Sequence, residues 1–154
     1  MLHFAMPVWN VISGATKNEE ALMFRREVRL RRLNANEFLV IEPGEYLDIL
    51  EGGDYILIQR HYIDLFKDSI NYVAISEVVI FDRLNDFKNH DFVELHVSGK
   101  TELSDIPKLK SDGREIWIAS SSLFVSDQLK RELQDRSTSD LLFGEGLEYW
   151  GARS

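Results

Sequence analysis

The chain of 154 residues contains no cysteine, which excludes several kinds of chemistry at once. Disulfide bridges, thiol nucleophiles, cysteine-ligated zinc and iron–sulfur clusters all require that side chain. No run of eighteen apolar residues occurs, so the sequence predicts no transmembrane helix. The apolar N-terminus has no basic residue before it and is interrupted by Pro7 and Asn10, a pattern that does not fit a signal peptide. We therefore expect a cytoplasmic protein.

Positive charge is also in short supply. The chain has 18 Lys and Arg against 26 Asp and Glu, a net charge of −8. Nucleic-acid-binding proteins usually carry net positive charge because they neutralise phosphates, so we expect no nucleic-acid partner. Five arginines nevertheless lie close together between Arg25 and Arg32, and the following segment, Leu33–Gln59, has no Lys or Arg.

Two interpretations of this charge distribution stay open. Either the two segments form solvated surfaces that partly neutralise each other, or the acidic segment is a docking face for a basic partner. On the second interpretation the binding residues would be Glu42, Glu45, Asp48, Glu51 and Asp54.

The apolar patterning predicts one α+β domain that spans residues 1–154. Hydrophobic residues make up 44% of the chain, and short apolar runs separated by polar breaks recur along it. Such runs, when rich in β-branched and aromatic residues, are typical of strands in a mixed sheet. We predict strands at Phe4–Ile12, Phe38–Ile41, Tyr55–Ile58, Val73–Phe81, Phe92–Val97 and Glu115–Ile118.

Two of these strands have distinctive patterns. Phe38–Ile41 is continuously apolar, as in a strand that is buried on both faces. Phe92–Val97 alternates, which places Val93, Leu95 and Val97 on one face. The other assignments are a helical or extended segment at Glu19–Leu33, a helical turn at Tyr46–Leu50, a short helix at His61–Asp68, a loop at Leu84–His90 and a hairpin turn at Asp112–Gly113.

The clearest helix is predicted over Asp127–Gln134. Ser126 or Asp127 can cap its first turn by accepting a hydrogen bond from a free backbone N–H group. Leu129 and Leu133, four residues apart, form the stripe that we expect to be buried. With an apolar strand on either side, the helix completes a strand–helix–strand unit near the C-terminus.

A weaker copy of this unit occurs earlier in the chain. Residues 57–81 also run from an apolar strand through an amphipathic helix to a second apolar strand. At an offset of about 67 residues, Tyr62 aligns with Leu129 and Phe66 with Leu133. The sequence thus predicts two strand–helix–strand units in the mixed sheet.

The candidate sites for chemistry are weak. A phosphate-binding loop ending at Gly99 would need a glycine five residues earlier, where the chain has Glu94. Glu94 and His96 could share a metal ion on one strand face, but His90 lies about 13 Å from Glu94 on an extended strand. The serines at 120–122 have no glycine-flanked turn and no assignable base. We expect no catalytic set, no metal and no cofactor.

The segment from Ile118 to Gln134 carries the most familiar phrase in the chain. The run Phe124-Val-Ser-Asp, followed by Leu129-Lys-Arg-Glu-Leu, resembles bacterial immunity proteins of polymorphic and contact-dependent toxin systems. The similarity extends over residues 39–150, is strongest over 116–133, and leaves residues 1–36 unplaced.

The resemblance implies a non-enzymatic protein that binds a cognate toxin domain and neutralises it in a stoichiometric complex. It assigns no binding residue, because interfaces in such families vary with the toxin. The alternatives are a regulatory or scaffold module of another system, then an enzyme with dispersed acidic residues, and lastly a nucleic-acid binder that uses Arg25–Arg32. The oligomeric state is not predicted.

Overall fold

Short β-strands dominate the computed structural model, which describes residues 6–17, 22–69, 71–99, 101–109, 114–137 and 141–148. The strands are β1 (Val8–Ser13), β2 (Ala15–Lys17), β3 (Leu22–Phe24), β4 (Arg29–Arg32), β5 (Glu37–Glu42), β6 (Ile49–Glu51), β7 (Ile56–Gln59), β8 (Val73–Glu77), β9 (Val79–Asp82), β10 (Phe87–Asn89), β11 (Phe92–Val97), β12 (Ile116–Ala119), β13 (Ser122–Ser126) and β14 (Leu141–Glu145). Two 3-10 helices, Arg60–Ser69 and Leu103–Lys108, and one α-helix, α1 (Asp127–Arg136), lie between them.

Most of these strands belong to three four-stranded sheets. The terminal sheet has the order β12-β13-β1-β14, the central sheet β6-β7-β11-β8, and the outer sheet β10-β9-β5-β4. Strands β2 and β3 pair separately. Within the described residues the strand pairs are antiparallel, except for β5 and β9, which are parallel. The protein is thus a small, mostly β domain with several sheets, compatible at this coarse level with the predicted α+β class.

The terminal and central sheets share one arrangement. In each, a hairpin leads into a helix and then into a last strand, giving β12-β13-α1-β14 and β6-β7-(Arg60–Ser69)-β8. A further strand, β1 or β11, lies between the strands that flank the helix and is antiparallel to both. The two strand–helix–strand segments therefore lie in different sheets, not in one.

The central sheet separates two hydrophobic cores because its strands bury both faces. On β11, Val93 and Leu95 pack into the core that also holds Leu129 and Leu133. Phe92, on the opposite face, packs into the core of the outer sheet. The strand predicted at Phe92–Val97 is confirmed, with Val93 and Leu95 on one face as expected.

The predicted C-terminal helix is also confirmed. The Ser126 hydroxyl accepts a hydrogen bond from the Leu129 N–H group at 3.2 Å and so caps α1. Leu129 and Leu133 are fully buried, in the same core as Tyr62 and Phe66 of the first 3-10 helix. The helix predicted at His61–Asp68 exists, but as a 3-10 helix.

The segment Glu19–Leu33, predicted to be helical or extended, forms strands in its described part, and the helical turn predicted at Tyr46–Leu50 is wrong. Leu22–Phe24 and Arg29–Arg32 are strands; the first residues of the predicted segment lie outside the described ranges. In β4 the exposed Arg29 and Arg31 flank the buried Leu30, so the side chains alternate with a period of two. The four-residue spacing of opposite charges in this segment indicated a helix instead. The predicted turn at Tyr46–Leu50 instead leads into strand β6, because Ile49 faces one core and Leu50 the other.

The predicted strands also need three corrections. Phe38–Ile41 forms strand β5 but is not buried on both faces, since Ile41 is 44% exposed. The run Val73–Phe81 is broken at Val78 into two strands of different sheets. Part of the predicted loop Leu84–His90 is strand β10.

Turn chemistry explains where the last hairpin forms. The turn between β12 and β13 is at Ser120–Ser121, whose φ angles are 48° and 63°. Two successive residues with left-handed φ angles form the kind of two-residue turn whose twist matches that of the strands it connects.

The hairpin predicted at Asp112–Gly113 lies outside the described residues. The predicted N-terminal strand begins at Val8; Phe4 and Ala5 are likewise not described.

None of the helices in the described part of the chain is long and apolar enough to cross a lipid bilayer.

Asp82 supplies a pH-dependent contribution to stability. Its buried carboxylate accepts hydrogen bonds from the Tyr46 hydroxyl at 2.7 Å and from the Asn85 backbone and side chain at 3.1 and 2.9 Å. Burial by itself raises the pKa of Asp82, but these hydrogen bonds outweigh it and hold the pKa below its usual value. A depressed folded-state pKa stabilises the fold above the unfolded pKa of about 3.9, and this stabilisation is lost as the pH falls through the folded value.

Asp82→Asn is therefore expected to lower the free energy of unfolding at neutral pH by about 1–3 kcal/mol, because it weakens the contacts to Tyr46. The variant should also lose less stability than the wild type between about pH 5 and pH 2. Urea denaturation at several pH values measures both effects. Asp86→Asn, in the same turn but exposed, is the matched control. An unchanged acid dependence in Asp82→Asn would show that this carboxylate does not contribute.

Candidate functional site

The arginine segment and the acidic segment meet because β4 and β5 form an antiparallel pair. Glu42 lies opposite Arg29 in the register, and their side chains are 3.3 Å apart. Arg26 also approaches Glu42, at 3.8 Å, and Arg25 approaches Glu45 at 3.6 Å. All these side chains are largely exposed, so each pair contributes about 0–1 kcal/mol. The geometry matches the interpretation that the two segments partly neutralise each other.

Arg32 has a different environment from the other arginines. Its guanidinium group donates two hydrogen bonds to the Glu94 carboxylate, at 2.5 and 3.1 Å, and two to Asp54, at 3.2 Å to the carboxylate and 2.8 Å to the backbone oxygen. The Glu94 side chain is only 3% exposed, and Arg32 stacks 4.7 Å above the Phe38 ring. The hydrogen bond to Glu94 raises the pKa of Arg32. This contact joins the outer sheet to the central sheet across 62 residues of sequence.

The five predicted docking carboxylates are not equivalent. Glu42, Glu45 and Asp54 are at the surface, where each contacts an arginine. Asp48 is buried and accepts a hydrogen bond from the Tyr62 hydroxyl at 2.6 Å. Burial and this hydrogen bond both raise the pKa of Tyr62. Asp48 therefore supports the fold and is not placed for direct contact with a partner.

An open cleft of about 610 Å³ lies where these charges gather. Arg25, Arg29 and Asp54 line it together with the Gly52–Gly53 turn. Glu51, also in its wall, accepts a hydrogen bond from the Ser122 hydroxyl at 3.5 Å. Ser121, in the turn between β12 and β13, also lines the cleft and donates a hydrogen bond to the Gly53 backbone oxygen at 3.3 Å. Side chains of both charge signs line the cleft, so it can complement a polar surface.

Ser76 and His96 form the hydroxyl–imidazole contact that most resembles a catalytic pair. The Ser76 hydroxyl is 2.9 Å from His96 Nε2, and Glu94 is 3.7 Å from the same nitrogen. In a catalytic triad the carboxylate must hold the other ring nitrogen, so that the first can accept the serine proton. The Glu94 carboxylate also accepts a hydrogen bond from Arg32. The group is therefore not arranged as a triad.

The three metal-binding candidates, His90, Glu94 and His96, do not form a three-ligand group. Throughout the ranges that the structure describes, no group of three His, Asp or Glu side chains is placed to hold an ion. Glu94 and His96 are adjacent, as predicted, but Arg32 occupies the carboxylate. At His90 the backbone oxygen accepts a hydrogen bond from Arg60 at 3.0 Å.

A further surface, the outward face of the outer sheet, was not predicted from the sequence. Antiparallel and parallel register together align Arg31, Leu39, Phe81 and Lys88 in one row across β4, β5, β9 and β10. The opposite face holds the buried core, so these four side chains point away from it. Strand alternation is the only sequence pattern that could have indicated this face. The continuously apolar run Phe38–Ile41 does not show it, because every position in that run is apolar.

No protein-family model matches the chain, and comparison with curated proteins and with solved structures gives no match either.

Proposed function

We propose that this chain is a non-enzymatic immunity protein, which binds a cognate secreted bacterial toxin domain in the cytoplasm and neutralises it in a stoichiometric complex. The observation that carries the proposal is the charged surface around the β4–β5 pair, where the exposed carboxylates of Glu42, Glu45 and Asp54 form salt bridges with arginines. The resemblance of residues 116–133 to immunity proteins supports it.

The physical basis is exchange of salt-bridge partners. The side chains of Glu45 and Asp54 are 55% and 65% exposed; Glu45 forms a surface pair with Arg25, and Asp54 contacts the less exposed Arg32. Surface pairs contribute little to stability, so cations of a partner can replace the internal arginines at small cost. Complementary charge also speeds association, which suits an inhibitor that must capture a toxin rapidly.

We also propose that the two strand–helix–strand segments are copies of one ancestral unit. Two observations support this relation. Corresponding strands of the two segments occupy the same positions in the terminal and central sheets. The aligned residues, Tyr62 with Leu129 and Phe66 with Leu133, are buried in one core. On this proposal the duplicated core is the scaffold, and the binding surface is carried by the strands outside it.

Co-expression with the toxin domain from the adjacent gene tests the function. We expect restored growth, and a one-to-one complex on gel filtration whose formation needs no turnover. Unrelieved growth arrest with no complex would reject the immunity proposal.

The acidic surface has its own test, the double variant Glu45→Lys and Asp54→Lys. Because exposed charges act over a screening length of about 10 Å at 0.1 M salt, we expect the variant to slow association more than it speeds dissociation. Wild-type association should slow as salt rises. Glu132→Lys with Asp135→Lys, on α1, makes the same change in net charge and should leave the on-rate unaffected. Equal on-rates for the two double variants would refute the acidic surface but not the function.

A further inference from the structure

We infer that the outward face of the outer sheet is a second docking surface, for a toxin surface that presents acidic side chains around an apolar anchor. The inference rests on the proposed function, since it takes the occupant to be the neutralised toxin domain. It differs from the acidic surface in the sign of its charge.

The face combines apolar area with cations at both ends of one row. Leu39 and Phe81 are neighbours on β5 and β9, and both are only partly buried. Ile41, two residues beyond Leu39 on the same face, is 44% exposed. Arg31 flanks Leu39 on one side and Lys88 flanks Phe81 on the other. Partly exposed apolar residues grouped in this way are typical of interaction sites.

The cations on this face are those that the acidic segment does not neutralise. The other two arginines of β4, Arg29 and Arg32, contact Glu42 and Glu94. Arg31 and Lys88 are exposed, and among the described residues neither forms a salt bridge; Lys88 lies 5.6 Å from the centre of the Phe81 ring instead. In a chain of net charge −8, the row that runs from Arg31 to Lys88 carries two cations and no carboxylate, and Glu37 is the acidic residue of β5 on the same face. The row therefore complements acidic groups.

A protein surface suits this face better than the two other occupants. Single-stranded nucleic acid would stack its bases on an exposed aromatic ring, but Lys88 already lies over Phe81. The net negative charge of the chain also repels a polyanion. A second copy paired through a twofold axis would bring one row of cations against another, which is unfavourable. An acidic protein surface that presents an apolar side chain can contact both the cations and the apolar residues of this face.

The test compares two double variants in binding to the toxin domain, measured by calorimetry. Arg31→Glu with Lys88→Glu reverses the cations and leaves the apolar row in place; we expect its Kd to rise at least tenfold. Lys108→Glu with Arg131→Glu makes the same change in net charge away from the face, and its Kd should be unchanged. Thermal unfolding of both establishes that they are folded. Leu39→Ser, which removes apolar area without changing charge, should also weaken binding.

The outcomes separate this inference from the proposed function. If the wild type binds the toxin domain and Arg31→Glu with Lys88→Glu binds equally well, the second surface is rejected and the function stands. If the wild type forms no complex, the function is rejected, and the face is tested with a synthetic peptide of alternating Glu and Leu by NMR titration. Shifts confined to β4, β5, β9 and β10 would then support the face, and their absence would reject it.

Two further measurements would overturn the choice of occupant. One is binding of a labelled single-stranded RNA oligonucleotide that Arg31→Glu with Lys88→Glu abolishes. The other is a wild-type dimer in sedimentation analysis that the same variant dissociates.

Discussion

Leu133→Ala is expected to lower the free energy of unfolding by about 2–5 kcal/mol. Leu133 is 0% exposed and lies in the core that also contains Leu129, Tyr62 and Phe66. Truncation removes buried apolar atoms and leaves a cavity that the surrounding strands cannot fill, because they are held by sheet hydrogen bonds.

The size of this effect follows from the position of α1. The helix packs against the first 3-10 helix and against strands β1, β13 and β14, so it joins the two strand–helix–strand segments. Urea denaturation at neutral pH gives the free energy directly. Gln134→Ala, on the exposed side of the same helix, should change stability by no more than about 0.5 kcal/mol. A loss in Leu133→Ala as small as in this control would mean that α1 is peripheral to the fold.

Arg32→Met is the second change with a large expected effect, a loss of about 3 kcal/mol in the free energy of unfolding. Removing one partner of a buried ion pair leaves an uncompensated buried charge, which costs about 3–5 kcal/mol. We place the effect at the low end because the Arg32 side chain is itself 26% exposed. The charge left behind is Glu94, whose remaining neighbour His96 lies 3.7 Å away.

Two comparisons isolate this contribution. Arg29→Met removes an arginine from the same strand, but from a surface pair with Glu42, and should cost no more than about 1 kcal/mol. In the double variant Arg32→Met with Glu94→Gln, no unpaired buried charge remains at this site, so part of the lost stability should return. If Arg32→Met and Arg29→Met lost equal amounts, the contact to Glu94 would be no stronger than a surface ion pair.

Elements governed by local chemistry were predictable from the sequence. The cap at Ser126 and the buried positions Leu129 and Leu133 follow from the spacing of a single helix. The alternation of Phe92–Val97 likewise defines a strand without reference to its neighbours. In both cases the deciding interactions lie within four residues of each other in the sequence.

Segments that depend on distant partners were not predictable. Glu27 and Arg31 have a spacing that suits a helix, yet β4 is extended because Leu30 must fill the core beneath the outer sheet. The run Phe38–Ile41 has an apolar side chain at every position, so its pattern could not reveal that one face is left uncovered.

Composition and short-range periodicity were enough to exclude cysteine chemistry and to predict the C-terminal helix and several strands. Which of the described charges are paired, and which side chains are buried, depends on the tertiary structure. It pairs Arg32 with Glu94 across 62 residues, buries Asp48 beneath Tyr62, and leaves Arg31 and Lys88 together on one sheet face. The physical reason is that charge pairing and burial depend on strand register between segments far apart in the chain, which no local pattern encodes.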